Sequence, residues 1–267
     1  MAQLNFRFPG GMRFSDVPPE QPAVPRDAAT VILLRDTDEG LEVFLQRRVA
    51  AMAFAPGVTV FPGGGVDERD ADASVRWTGP AASEWADWFG GTEPIARSLV
   101  CAAVREMFEE SGVLLAGTDV GVIGDAARYA GERRALESRE LSLAAFLAGA
   151  GLTLRADLLR PWAHWITPVQ EERRYDARFF VAVLPSGQHA DGATTEAASS
   201  GWQRPEDALA DAEAGRSILM PPTWHTLSEL TGFDTTAEVL DAERTVETII
   251  PKLVREGDQI RVIVGDE

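Results

Sequence analysis

The sequence predicts an α/β protein built on a mixed sheet, and three observations lead there. Two β-rich runs, "AATVILLRD" and "LEVFLQRR", meet across "TDEG", which reads as a hairpin. From Pro94 to Ser111, "PIARSLVCAAVREMFEES" carries apolar residues at helical spacing. Further on, "RPWAHWITP" and "ARFFVAVLP" return to strand character, with helical segments before and after them.

Taken in order, residues 1–25 are rich in Pro and Gly and read as an irregular N-terminal arm. The hairpin follows, then "GVTVFPGGGVD", a short apolar strand that runs into a loop of three glycines. Arg69 to Thr92 is polar and aromatic and holds Trp77, Trp85 and Trp88. The long helix ends at Gly112, placed as a C-terminal stop. "LSLAAFLAGAG" reads as another helix, and "RPEDALADAEAG" as a helix with proline near its start. Beyond Pro222 two further helices are expected, then a pair of strands, "VETIIPKLV" and "DQIRVIVG", around "REGD". There is no internal repeat and no low-complexity linker, so residues 26–267 read as one domain.

A chain of 267 residues can bury a sizeable core, and 45% hydrophobic with 25% charged residues is globular composition. A net charge of −17 argues against a nucleic-acid partner, which needs a basic footprint. It also disfavours a phosphate substrate unless metal ions mediate the contact. The single cysteine, Cys101, permits no intrachain disulfide and suits a reducing compartment. No apolar run is long enough to span a bilayer, and "MAQLNFRFPGGMRF" lacks the apolar core of a signal peptide. A cytoplasmic protein with no membrane partner is expected; a homodimer is left open.

The chemistry concentrates in "VREMFEESGV". Glu106, Glu109 and Glu110 fall on one helical face roughly 100° wide. Like charges at that spacing weaken an isolated helix, and Arg105, i,i+4 to Glu109, cannot balance three anions. A bound divalent metal could. Carboxylate oxygens are hard ligands suited to Mg²⁺ or Mn²⁺, ions that share their remaining coordination with phosphate oxygens. Gly63 to Gly65 just upstream let the backbone come close to such a ligand.

These residues resemble the nudix box, G-x5-E-x7-R-E-U-x-E-E-x-G-U with U a bulky apolar residue. Arg105, Glu106, Met107, Glu109, Glu110, Gly112 and Val113 match its second half at every specified position. A charge run usually means a solvated face, but seven fixed positions below a glycine loop tell against that here. The first half departs. Six residues on from Gly64 stands Asp70, and eight back from Arg105 stands Arg97, so neither frame supplies the glutamate. The box is interrupted by an insertion at about residues 70–95, as in a coenzyme A diphosphatase-like subfamily of the nudix superfamily. The likeness continues through "WITPVQEERRYDARFF", "TTEAASSGWQRPEDAL" and "MPPTW".

The resemblance implies a nudix α/β/α sandwich with a mixed β-sheet, the insertion in the box and added C-terminal elements. It implies that Glu106, Glu109 and Glu110 are metal ligands, that Glu106 or another carboxylate is the base, and that Arg105 orders the acidic face. The Gly64 carbonyl would complete a metal site. Glu196 matches in placement the extra glutamate that many members use as ligand or base.

Arg173, Arg174 and Arg178 form the densest basic cluster. Planar guanidinium donors suit a phosphate, and Arg174 and Arg178 share one side of an extended strand. The competing use is pairing with Glu171, Glu172 and Asp176. Coenzyme A diphosphatases often carry an upstream signature of which Gly57 fits here, whereas Ala53 stands at its arginine and Val49 at its small residue. That leaves Arg47 and Arg48 as further substrate-binding candidates. His164, His189 and His225 have no ligand spacing and read as structural; Cys101 and the Trp85, Trp88, Phe89 face read as packing. The expected activity is metal-dependent cleavage of the pyrophosphate linkage in a nucleoside diphosphate derivative, coenzyme A or its acyl form first. A nudix-like domain that senses a nucleotide without cleaving it is the alternative, disfavoured by retention of all three box glutamates.

Overall fold

The computed structural model describes residues 3–4, 18–49, 57–194, 197–256 and 259–264. In chain order its strands are β1 (Gln3–Leu4), β2 (Arg26–Thr37), β3 (Gly40–Arg48), β4 (Thr59–Val60), β5 (Gly63–Gly65), β6 (Trp77–Thr78), β7 (Ala116–Thr118), β8 (Gly121–Val122), β9 (Thr153–Arg155), β10 (Leu159–Ile166), β11 (Tyr175–Val183), β12 (Ala197–Gln203), β13 (Thr248–Ile249), β14 (Lys252–Glu256) and β15 (Gln259–Ile263). The helices are α1 (Ala82–Phe89), α2 (Glu93–Ser111), α3 (Ala130–Glu137), α4 (Leu143–Ala150), α5 (Pro205–Glu213), α6 (Pro221–Leu230) and α7 (Thr236–Asp241).

The main sheet runs β12-β3-β2-β11-β10-β13, with β4 added to β3 and β5 to β2. It is mixed: β2 pairs antiparallel with β3 but parallel with β11. Alternation along the central strands decides the layers. Ala29, Val31, Leu33 and Phe44 face a core shared with Trp85 of α1, Leu99 and Met107 of α2 and Phe146 of α4. Ile32, Leu34, Val43 and Leu45 face the opposite core, closed by Ala208 of α5, Leu227 of α6 and Val239 of α7. The result is the three-layer α/β/α sandwich, with α2 lying across one face.

Three readings of the sequence change. The glycine loop is a strand: Gly63, Gly64 and Gly65 stand opposite Thr30, Ala29 and Ala28 of β2. A Cβ at Gly63 would lie 2.5 Å from the Ala29 carbonyl oxygen, so only glycine fits that approach. The insertion forms the short helix that its aromatic spacing suggests, but only part of the expected apolar face is packed. Its α1 buries Trp85 and Phe89 against Phe180, while Trp88, though edge-on to Trp85, stays 37% exposed. Its β6 joins a small second sheet, β6-β9-β7-β8. Lastly, the arm contributes β1, which pairs with β15.

α3 and β12 have no counterpart in the sequence reading. α3 buries only Arg133 and Leu136, and "AASSGWQ" of β12 is poor in β-branched residues. β12 is an edge strand held by its ladder to β3, bulged between Ala197 and Ser199. Among the described residues no helix is long and apolar enough to cross a membrane.

Candidate active site

α2 owes its inner face to Leu99, Val100, Ala103, Val104 and Met107 and its end to Gly112, which adopts φ 73° and donates its N–H to the Phe108 carbonyl at 3.0 Å. The same periodicity places Arg105, Glu106, Glu109 and Glu110 beside β5. Arg105 is 7% exposed and serves as the hub. Its Nε and Nη2 donate to Oδ1 and Oδ2 of Asp70 at 3.0 and 2.8 Å, and Nη2 also reaches the Gly65 carbonyl at 3.0 Å. Nη1 donates to Glu106 Oε1 at 2.7 Å and to Glu109 Oε1 at 3.3 Å. Burial opposes the charge on Arg105, but the Asp70 bond and the glutamates outweigh it and hold the guanidinium above its ordinary pKa.

Asp70 is the residue that sequence reasoning missed. It stands six positions after Gly64, where the pattern has its first glutamate, and is 2% exposed. The short 3₁₀ turn Glu68–Ala71 presents it, and its Oδ2 accepts the Asp67 N–H at 2.8 Å. An aspartate therefore does the bracing expected of a glutamate, and the chain departs from the pattern only after it. The signal was the offset itself; insisting on glutamate hid it.

Glu106 lies directly over Gly64. A Cβ built on Gly64 would sit 2.5 Å from the Glu106 carboxyl carbon, so the absent side chain is the space the carboxylate occupies. Burial, then repulsion from Glu109, raises Glu106 to about 7 despite Arg105. Burial likewise raises Glu109. Glu110 is 5% exposed, and its Oε2 accepts the Gly63 N–H at 2.9 Å. Cys101, a little before these residues, is fully buried core, its thiol pushed up to about 12 by burial.

The donor set suits a hard cation. Among the described residues no three His, Cys, Asp or Glu side chains close into a ready cage, and Arg105 Nη1 stands between Glu106 and Glu109. A crowded carboxylate face nonetheless suits Mg²⁺, since it binds through one or two carboxylates and keeps waters or phosphate oxygens for the rest.

The remaining candidates separate. Arg48 ends β3, two residues beyond Gln46, whose side chain donates to the Glu110 carbonyl at 3.0 Å. Strand alternation therefore puts Arg48 on the α2 face, with its Nε buried and unpartnered. Arg174 donates to the carbonyls of Thr167 and Ala23 at 3.0 and 2.8 Å. Arg178, 5% exposed, pairs with Asp27 at 2.6 Å and Asp176 at 2.9 Å. Both guanidiniums thus have partners within the fold and pin the β10–β11 hairpin, although Arg178 Nε, like Arg48 Nε, is buried without a partner. His164 is structural, with Asp176 at 2.5 Å and Thr248 at 2.9 Å. Glu196 and Ala53 lie outside the described residues.

Comparison with known proteins agrees with this geometry. The family model described as the NUDT19 Nudix domain matches residues 90–230, just over half of the chain. A Caenorhabditis elegans protein carrying the name nudix hydrolase 7 is 29% identical over 205 residues, which are 77% of this chain and 60% of that protein. Acyl-coenzyme A diphosphatase NUDT19 of Xenopus laevis is 25% identical over an alignment that covers 72% of this chain and 60% of that one. The chain therefore spans about 60% of the length of these two relatives. The human protein of the same name is 26% identical over an alignment that covers 86% of this chain and 72% of its own. Among solved structures, a NUDIX hydrolase from Alicyclobacillus acidocaldarius superposes with a TM-score of 0.68 at 24% identity, covering 83% of this chain and 98% of that one; the likeness is one of fold.

Proposed function

This chain belongs to the NUDT19 Nudix domain family, and from that premise we propose that it is a divalent-metal-dependent diphosphohydrolase. Its substrate is a nucleoside diphosphate derivative, with coenzyme A or acyl-coenzyme A first, the class named for its NUDT19 relatives. The observation that carries the reading is the carboxylate face of α2, braced by Arg105 on Asp70 and pressed against Gly64. Mg²⁺ or Mn²⁺ would be held by Glu106, Glu109 and Glu110, with the Gly64 carbonyl completing a site. Bound there, the ion would polarise the diphosphate and lower the pKa of an attacking water.

The chain's own residues have separate tasks. Arg105 sets the spacing of Glu106 and Glu109 by bonding both through one nitrogen. Glu106 and Glu196 are the candidate bases. Arg48, with a buried unpartnered Nε, is the candidate donor to substrate phosphate. A cytoplasmic location belongs to the same proposal, supported by the single cysteine, which suits a reducing compartment.

The test is a mass-spectrometric screen of diphosphate compounds with Mg²⁺ or Mn²⁺ in ¹⁸O water, with Glu110→Gln in parallel. Cleavage that falls by on the order of 10²-fold or more in the variant is expected, because the lost interaction stabilises the transition state. Nucleotide binding without turnover would instead support the sensing alternative. Coenzyme A should be cleaved roughly 10- to 150-fold faster in kcat/KM than its 3′-dephospho form, the value of one charge-assisted contact. Arg48→Ala should abolish that preference, and equal wild-type rates would favour a broader substrate.

A further inference from the structure

We propose that Arg133, on α3, is a positioning residue for the reaction: it locks the carboxylate-bearing end of α2 to the loop 188–194 that leads toward Glu196. The inference rests on reading α2 as the metal-binding helix.

The last four carbonyls of a helix have no intrahelical partner. In α2 the helix itself closes the Phe108 carbonyl through Gly112, and the carbonyls of Glu109, Glu110 and Ser111 are each met by a donor from elsewhere in the chain. The Gly112 N–H bonds the Phe108 carbonyl at 3.0 Å, and Gln46 Nε2 bonds the Glu110 carbonyl at 3.0 Å. Arg133 Nε bonds the Glu109 carbonyl at 3.0 Å, and the Asp191 N–H bonds the Ser111 carbonyl at 2.8 Å. Arg133 Nη1 is in turn 2.9 Å from the Asp191 carboxylate, so two of these three caps are tied to one another.

The fit is close. Arg133 is 9% exposed, and a Cβ built on Gly112 would lie 2.7 Å from its Nη1 and 3.1 Å from Asp191 Oδ2. The glycine that ends the acidic motif therefore does more than allow φ 73°; it leaves the volume that this ion pair fills. The cation also sits at the negative end of the helix dipole. Asp191 Oδ1 then accepts the Ala193 N–H at 2.9 Å, shaping the loop that Arg133 has fixed. One helical turn beyond Arg133, Glu137 accepts from Thr194 and adds its field to Glu109. Thus α3 ties the loop through the Arg133–Asp191 pair while holding the main chain of Glu109. The Asp191 N–H already ties the Ser111 carbonyl to this loop, and Arg133 adds a second tie from the main chain of Glu109 through its side chain.

The experiment compares Arg133→Met, Arg133→Lys, Asp191→Ala and the Arg133→Met/Asp191→Ala pair with the full-length wild type. Apparent Mn²⁺ affinity is read by electron paramagnetic resonance without substrate, alongside kcat and KM for coenzyme A. Charge and geometry predict opposite signs. If Arg133 acted only as a nearby cation, its removal would tighten Mn²⁺ binding. As a positioning residue, its loss should weaken Mn²⁺ about tenfold, and kcat should drop on the order of 10²-fold while KM changes less than about threefold. Arg133→Lys keeps the charge without the planar fork and should lose most of the effect as well. The double variant should be little worse than either single one, because both break the same link. Unchanged or tighter Mn²⁺ binding with near wild-type kcat, in folded Arg133→Met or Arg133→Lys, would overturn the inference. Should Arg133→Met fail to fold, Arg133→Lys and Asp191→Ala carry the comparison. A wild type that neither binds Mn²⁺ nor cleaves a diphosphate would overturn the functional reading and this inference together.

Discussion

Gly64 has no room for a side chain, because the Glu106 carboxylate lies 2.5 Å from where its Cβ would be. Gly64→Ala must therefore push Glu106 off the face it shares with Glu109. Displacement of about 1 Å at a reacting centre costs on the order of 10²-fold in rate, and kcat should fall by that much in steady-state kinetics. Wild-type turnover in this variant would mean that Glu106 does not act from its present position. Asp70 makes a different case, because its loss acts on stability. Removing it strips Arg105, itself 7% exposed, of a bidentate partner. Breaking a buried pair from one side costs about 3 kcal/mol, so Asp70→Ala should lose that amount in denaturant unfolding with EDTA present. A loss within the ordinary range of surface substitutions would show that Asp70 is not the anchor.

The insertion and the acidic helix are the elements that set this chain apart. α1 is amphipathic in a way its aromatic residues only half reveal. Trp85 and Phe89 are core, whereas Trp88 is 37% exposed at the sheet's border. Trp85→Ala should cost about 3–5 kcal/mol, as large aromatic truncations in cores do, and Trp88→Ala far less. Thermal unfolding of the two variants checks it; equal losses would mean that α1 is not seated as described. The helix α2 was legible by period, by its Gly112 stop and by its seven matched positions. Its terminal partners were not, because Gln46 is 64 residues from Glu110 and Arg133 is 24 residues from Glu109. No spacing rule reaches across such separations.

For the whole molecule, Glu106 dictates a pH dependence of unusual sign. Its folded-state pKa of about 7 lies above the ordinary 4.5, so the folded protein holds that proton more tightly than the unfolded chain does. In metal-free protein its contribution to stability is fully present below 4.5 and is lost as pH climbs through about 7. A divalent ion needs the ionised carboxylate. Mn²⁺ affinity should therefore rise by up to about tenfold per pH unit while Glu106 is still protonated, then level off. Calorimetric titrations on either side of neutrality should show proton release on the acid side only. A flat affinity across that range would mean that Glu106 is not among the ligands.

The α/β class, the hairpin, the strands at residues 160–168 and 177–185, and the carboxylate face of α2 were all fixed by short-range pattern. Hydrophobic period and motif spacing act within a few turns or one ladder, and a single sequence displays them directly. What the tertiary structure decided is of another kind. Asp70 braces Arg105 from 35 positions away, Arg178 is drawn to Asp27 from 151, and the glycines become a strand because β2 is there to pair with them. β12, weak in intrinsic strand preference, exists because β3 offers it an edge. The physical reason is common to all four. A charged or polar group takes the partner that burial brings within reach, and which partner that is depends on the packing of layers distant in the chain.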